Sequence, residues 1–249
     1  MTTRKKAFTL VELLVVIAII ALLLSILVPA LRKAKSHAMR VYCGNNIKQV
    51  ILALGLYASE NRDFFPYHDV GECWYWLWGL DRACTTKIMK YGPTMESFYC
   101  PANIQQKRFK WQYWEEWSKN EHIIGYFSLW DNPPGSARVR NWQPQGSGNK
   151  KFPVKVTDPM ASATELFVDV TFSNMTGTYA NNPQFPHGNF AKCGGGMIGL
   201  GTYDCSNHYL SESKCEGGNM GFVDGHVDWR NFSEMEIRNK PGCFPTTWW

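Results

Sequence analysis

At 249 residues the chain has the length of one large domain with an appendage or of two smaller ones, and a composition 45% hydrophobic and 19% charged excludes a disordered chain. The formal charge of +5 is unevenly placed: Arg4, Lys5, Lys6, Arg32, Lys33, Lys35, Arg40 and Lys48 face a single acid, Glu12, in the first 48 residues, and the remainder is slightly acidic. That split excludes a basic nucleic-acid-binding body, so nucleic acid is not an expected partner.

The first predicted element is an apolar helix. From Leu10 to Val28 only Glu12 and Ser25 interrupt the apolar run, and its length as a helix, roughly 28 Å, matches the hydrocarbon thickness of a bilayer. Arg4, Lys5 and Lys6 ahead of it predict a cytoplasmic N-terminus and an exported body. A discarded secretory signal cut after Ala30 is the alternative; the run is too long for it, and a carboxylate at Glu12 would have no use in a segment thrown away. Beyond Pro29 the pattern stays helical: Ile47, Val50, Ile51, Leu54, Tyr57 and Ala58 lie on one stripe, predicting one helix of about 50 residues that ends near Ser59 to Asp63.

Lys5-Lys6-Ala7-Phe8-Thr9-Leu10-Val11-Glu12 resembles the processing signal of type IV pilins and type II secretion pseudopilins. The resemblance implies cleavage by prepilin peptidase between Ala7 and Phe8, N-methylation of Phe8, Glu12 as the fifth residue of the mature chain, and Pro29 at the family's helix kink. In a filament, the Glu12 carboxylate of one subunit would meet the new Phe8 amine of a neighbour and fix the axial register, since either charge alone is costly in an apolar core. Pro29 removes one backbone hydrogen bond, so the helix can bend there.

Cys43 to Gln49, Tyr57 and Phe65-Pro66, with a later Phe98-Tyr99-Cys100-Pro101, are similar to a group of pseudopilin-like proteins with a Cys in this helix and a Phe-x-Cys-Pro element. That resemblance implies a Cys43–Cys100 disulfide, worth roughly 4 kcal/mol in the chain-entropy account. Eight cysteines without a close C-x2-C pair suit an oxidising compartment. Cys73 and Cys84 are a second candidate pair, around Trp74, Trp76 and Trp78, whereas Cys193, Cys205, Cys215 and Cys243 have no readable pairing. Trp74, Trp76 and Trp78 alternate as in a strand, and Trp111, Trp114 and Trp117 follow helical spacing. Core packing is the plainer reading of both sets; an exported glycan-binding module is the alternative function.

Loops are predicted over Asp131 to Gly135 and Asn141 to Lys151, and strands at Val154 to Val156 and Leu166 to Val170. Asn219 to Trp229 reads as a hairpin around a two-residue Asp224-Gly225 turn, which would put Met220, Phe222, Val227 and Trp229 on one face and Gly221, Val223, His226 and Asp228 on the other. This segment resembles the same group's C-terminal motif, a His followed after nine residues by Asp-Gly. Here Lys214 occupies the His position and the nearest upstream histidine is His208, so either residues are inserted or the His role is absent. His208, Asp224, His226 and Asp228 form too small a committed set to predict a metal, and no cofactor is expected. No catalytic motif is recognisable, so an enzyme is not expected.

The resulting expectation is α+β and pilin-like: a long N-terminal transmembrane and amphipathic helix on a small antiparallel β-sheet with disulfide-stapled loops. Residues 1–7 form the leader, 8–29 the transmembrane and filament-core helix, 30–60 its amphipathic continuation, and 61–249 the exported head. The implied protein is a structural subunit of a pilus-like or secretion filament, single-pass in the inner membrane with a periplasmic head, or extracellular within a filament. Its implied partners are prepilin peptidase, other pilin or pseudopilin subunits, and the inner membrane.

Overall fold

A computed structural model of the protein describes residues 9–68, 79–103, 110–111, 114–115, 120–132, 152–158, 163–173, 206–211, 214–236 and 246–247. Ala7, Phe8, Cys73, Trp74, Trp76, Trp78, Trp117, Cys193, Cys205 and Cys243 lie outside them, as do Pro133 to Lys151.

Helix α1, Leu10–Glu60, is a single element of 51 residues with Pro29 inside it. Contacts divide the chain into two units, residues up to Ala38 and residues from Met39 onward. In the first unit every Leu, Ile and Val from Leu10 to Leu31 is exposed, from 42% at Val28 to 79% at Leu10. The span is long and apolar enough to cross a membrane.

In the second unit α1 buries Cys43, Asn46, Ile47, Val50, Ile51, Ala53, Leu54 and Ala58, the stripe that helical periodicity demands. The helix stops because Arg62 and Asp63 turn to positive φ, with Asp63 N donating to Ala58 O at 2.9 Å and Asn61 Nδ2 to Tyr57 O at 2.7 Å. Phe65 then enters the core.

The strands are β1 (Gly79–Asp81), β2 (Glu121–Ile123), β3 (Tyr126–Ser128), β4 (Glu165–Asp169), β5 (Phe172–Ser173), β6 (Tyr209–Ser211), β7 (Lys214–Cys215), β8 (Gly217–Phe222), β9 (Val227–Asn231) and β10 (Thr246–Thr247). The central sheet is four-stranded, in the order β3-β4-β8-β9, with every pairing antiparallel. Three two-stranded pairs, β1 with β2, β5 with β10 and β6 with β7, complete the described strands. A short helix α2, Arg82–Met89, is capped by Asp81, whose Oδ1 accepts from Ala83 N at 2.8 Å.

Helix and sheet meet where side chains are smallest. A Cβ on Gly221 would stand 2.2 Å from Ile51 Cδ1 and 2.5 Å from Ile47 Cγ2, so β8 approaches α1 through a position that only glycine fits. Asn219 adds a hydrogen bond from Nδ2 to Arg40 O at 3.2 Å. The arrangement is α+β, with a long apolar N-terminal helix packed on an antiparallel sheet and a disulfide.

Two expectations need correction. Val154 to Val156 is not a strand: Lys155 makes one isolated bridge with Phe64, and Asp158 Oδ2 takes the Val154 and Lys155 amides, at 2.7 and 3.0 Å, into a turn. The hairpin register is shifted by one residue. Gly221 pairs with Val227 and Asn219 with Trp229, around a three-residue loop Val223-Asp224-Gly225 rather than a two-residue one. Gly225 sits at φ +93° and its N–H donates to Phe222 O at 2.9 Å, while Phe222 N donates to His226 O at 3.0 Å. Asn219, Gly221, Val227 and Trp229 therefore share one face, and Met220 and Phe222 lie on the other with Asp228 and Arg230.

Candidate functional site

The first group of predicted site residues lies at the start of α1. Thr9 and Glu12 form a reciprocal cap: Thr9 N and Oγ1 both donate to Glu12 Oε2 at 2.8 Å, and Glu12 N donates to Thr9 Oγ1 at 3.3 Å. This is a capping box, in which each side chain satisfies a backbone donor that the helix start leaves open. The Thr-x-x-Glu spacing was the available signal for it. Pro29 sits well inside the helix and deprives the Ser25 carbonyl of its intrahelical donor.

The second group ties α1 to the rest of the head. Cys43 and Cys100 form a disulfide with Cα atoms 5.2 Å apart. The segment that carries Cys100 is held on the helix at two further points, by Asn46 Nδ2 donating to Tyr99 O at 3.0 Å and Ser97 Oγ to Gln49 Oε1 at 3.0 Å. Cys84 is buried in α2, and its candidate partner Cys73 lies outside the described residues. Cys215 is a thiol that burial pushes up to about 12, which keeps it protonated and unsuited to nucleophilic attack.

The third group is the C-terminal turn. Asp224 Oδ1 accepts from His226 N at 3.1 Å and pairs with its Nδ1 at 2.6 Å; His226 Nε2 stands 3.6 Å from Asp228 Oδ2. The His226 amide, and then its ring, hold the Asp224 carboxyl below the ordinary carboxylate range. The imidazole stacks on Phe222 at 4.1 Å, and Lys48 Nζ donates to Gly225 O, so the turn is fastened to α1. This constellation is at the surface, and its polar groups are engaged with one another.

His208 makes its contacts elsewhere. It is buried beside Asp169, with Nε2 3.3 Å from Asp169 Oδ2 and 3.5 Å from Cys100 Sγ, and Trp229 meets its ring edge-on at 5.1 Å. The Arg40 guanidinium caps that indole from 4.1 Å. Asp169 is fully buried and hydrogen-bonded at both oxygens: Asn207 Nδ2 donates to Oδ1 at 2.7 Å, and Asn219 N and Nδ2 to Oδ2 at 2.7 and 2.8 Å. Burial raises the carboxyl, but the His208 imidazole and these donors outweigh it and hold Asp169 below its ordinary value. Strands β6 and β7, which follow His208 and precede Gly217, pair antiparallel, and Glu216 N donates to His208 O at 3.0 Å.

Sequence reasoning missed Asp169, Asn207 and Asn219. The one signal for them was a carboxylate inside the apolar run Leu166 to Val170, where a charge needs a buried partner. Trp114 follows the plainer reading, core packing: it is buried and stacks on His122 at 3.8 Å, while Trp111 is exposed.

Comparison with curated proteins and with solved structures returned no match. Residues 2–28 match the family model described as Prokaryotic N-terminal methylation motif. That stretch covers the basic N-terminus, the Ala7-Phe8 junction, the Thr9–Glu12 cap and the exposed apolar part of α1 up to Val28. The chain thus carries a prepilin-type signal, consistent with the type IV pilin and pseudopilin family; the motif implies a pilin-like subunit processed by prepilin peptidase and suggests membrane anchoring before assembly.

Proposed function

We propose that prepilin peptidase cuts the chain between Ala7 and Phe8, that Phe8 is N-methylated, and that the mature subunit assembles through the apolar part of α1 into a type IV pilus-like or type II secretion filament. The observation that carries this reading is the continuity of the methylation motif with a helix whose large apolar side chains are exposed all the way from Leu10 to Leu31. Such a belt requires lipid before assembly and other helices after it. Glu12 caps its own helix through Thr9 and still has carboxylate lone pairs for a neighbour's Phe8 amine. The head stands across the inner membrane from the basic N-terminus, and the subunit is structural rather than catalytic.

The test is the N-terminal residue and intact mass of the protein from its native membranes, followed by the Glu12→Ala variant. N-methylated Phe8, together with a variant that is cut but absent from filaments, is the expected result. A chain beginning at Leu31 would overturn the reading.

A further inference from the structure

Four side chains from four distant stretches of sequence converge in the head: Cys43 on α1, Cys100 before Pro101, Asp169 at the end of β4, and His208 ahead of β6. One ligand atom from each lies within 4.8 Å of all the others, and all four residues are buried. Two sulfurs, an imidazole and a carboxylate are the donor types of a tetrahedral zinc centre. Around such a metal, ligand atoms bound at about 2.0–2.3 Å stand roughly 3.3–3.8 Å from each other. His208 Nε2 already has that spacing to both Asp169 Oδ2, 3.3 Å, and Cys100 Sγ, 3.5 Å.

The surroundings suit the same chemistry. Metal-bound carboxylates are oriented by outer hydrogen bonds, and Asp169 has three, from Asn207 Nδ2 and from Asn219 N and Nδ2. The Trp229 indole packs edge-on against the imidazole. The buried carboxylate and imidazole are set against the two sulfurs of a disulfide.

We propose that the Cys43–Cys100 disulfide masks a zinc site, and that reduction of this bond converts the head into a form that binds one zinc ion through Cys43, Cys100, Asp169 and His208. The reductant is a dithiol. One of its thiolates attacks a cysteine sulfur, and its second thiol resolves the mixed disulfide and leaves as a cyclic disulfide. Cys43 and Cys100 together gain two electrons and two protons, and zinc displaces those two protons on binding. The oxidised head offers no thiolates here and does not take the metal. This inference concerns the head alone and stands whether or not the subunit enters a filament.

The experiment uses the intact chain in detergent, oxidised or reduced with a water-soluble phosphine, which ends as the phosphine oxide. Each sample is equilibrated with zinc, desalted, and its metal counted; cobalt(II) absorption then reports the number of thiolate ligands. The reduced chain should retain about one zinc more than the oxidised chain and show a tetrahedral two-thiolate cobalt spectrum. His208→Gln and Asp169→Asn keep the disulfide, so they can be purified oxidised and reduced afterwards; each should bind the extra zinc at least tenfold more weakly. The proposal is overturned if reduction adds no zinc, or if the added zinc is undiminished in Cys43→Ser/Cys100→Ser, which would place it on other cysteines. Unaltered zinc affinity in both His208→Gln and Asp169→Asn overturns it as well.

Discussion

The two halves of α1 differ in how their apolar side chains are distributed around the helix. From Leu10 to Leu31 the apolar side chains encircle the helix and all the large ones are exposed, whereas from Cys43 to Ala58 the buried positions form one stripe and Leu52 and Leu56 lie outside it. Hydrophobicity alone says only that a segment avoids water; the angular distribution says what it avoids water with. A stripe identifies a folded protein surface as the partner, and a belt identifies lipid or a ring of other helices. The same backbone thus carries an anchor and a core element.

The largest effect expected from this contrast is at Gly221. Gly221→Leu would drive a side chain into Ile47 and Ile51, with Phe167 O 2.9 Å from the new Cβ, and should destabilise the head by about 4 kcal/mol or more in chemical denaturation. Ala21→Leu, an enlargement smaller by one carbon and within the exposed belt, should leave head stability within about 0.5 kcal/mol. Replacing both Cys43 and Cys100 by Ala should cost about 4 kcal/mol of head stability and loosen the lower half of α1 while the upper half keeps its membrane partition. The paired truncations Ile47→Ala and Ile19→Ala sharpen the contrast further: about 3 kcal/mol for the buried position and no measurable change in head melting for the exposed one.

A further effect is a pH dependence confined to the head. Burial, with help from the Arg82 charge and against that of Glu115, lowers His122 to about 4 from its ordinary 6.5. The unfolded chain therefore binds a proton at His122 that the folded head does not. Stability should fall as pH drops from about 6.5 to about 4, by at most about 1.4 kcal/mol per pH unit, and this contribution should level off below that. His122→Gln keeps a polar partner for Thr85 Oγ1, which lies 2.9 Å from His122 Nδ1, and should remove the slope in melts recorded across this range.

Much of the anchor was legible because its signals are local. A charge triplet, an apolar run and a stripe at helical spacing need no knowledge of the fold, and α1 ends at Glu60 where Asn61-Arg62-Asp63 marked its stop. Strand β4 was legible from its apolar run. The hairpin was legible as a hairpin but not in register, since Asp-Gly fits both a two-residue turn and the end of a three-residue loop, and one residue of slip exchanges the two faces. Apolar matching favoured Met220 and Phe222 beside Val227 and Trp229; the contact with α1 instead selects Gly221, whose missing side chain is what lets the helix in. The pairing of His208 with Asp169 was invisible for a related reason. It joins β4 to a segment beyond residues 174–205, and no spacing along the chain encodes a contact made across a fold.

The β6–β7 hairpin has a consequence for how distances along this chain are counted. Tyr209 pairs with Cys215, and the Glu216 amide closes on the His208 carbonyl, so the two ends of the excursion stand side by side whatever its contour length. Seen from the sheet, Glu216 follows His208 almost as though the residues between them were a detachable loop. An interval such as His-x9-Asp-Gly is then elastic in sequence and rigid in space: the contact between Glu216 and His208 keeps the imidazole beside Asp169 and the Asp224 turn beside Lys48.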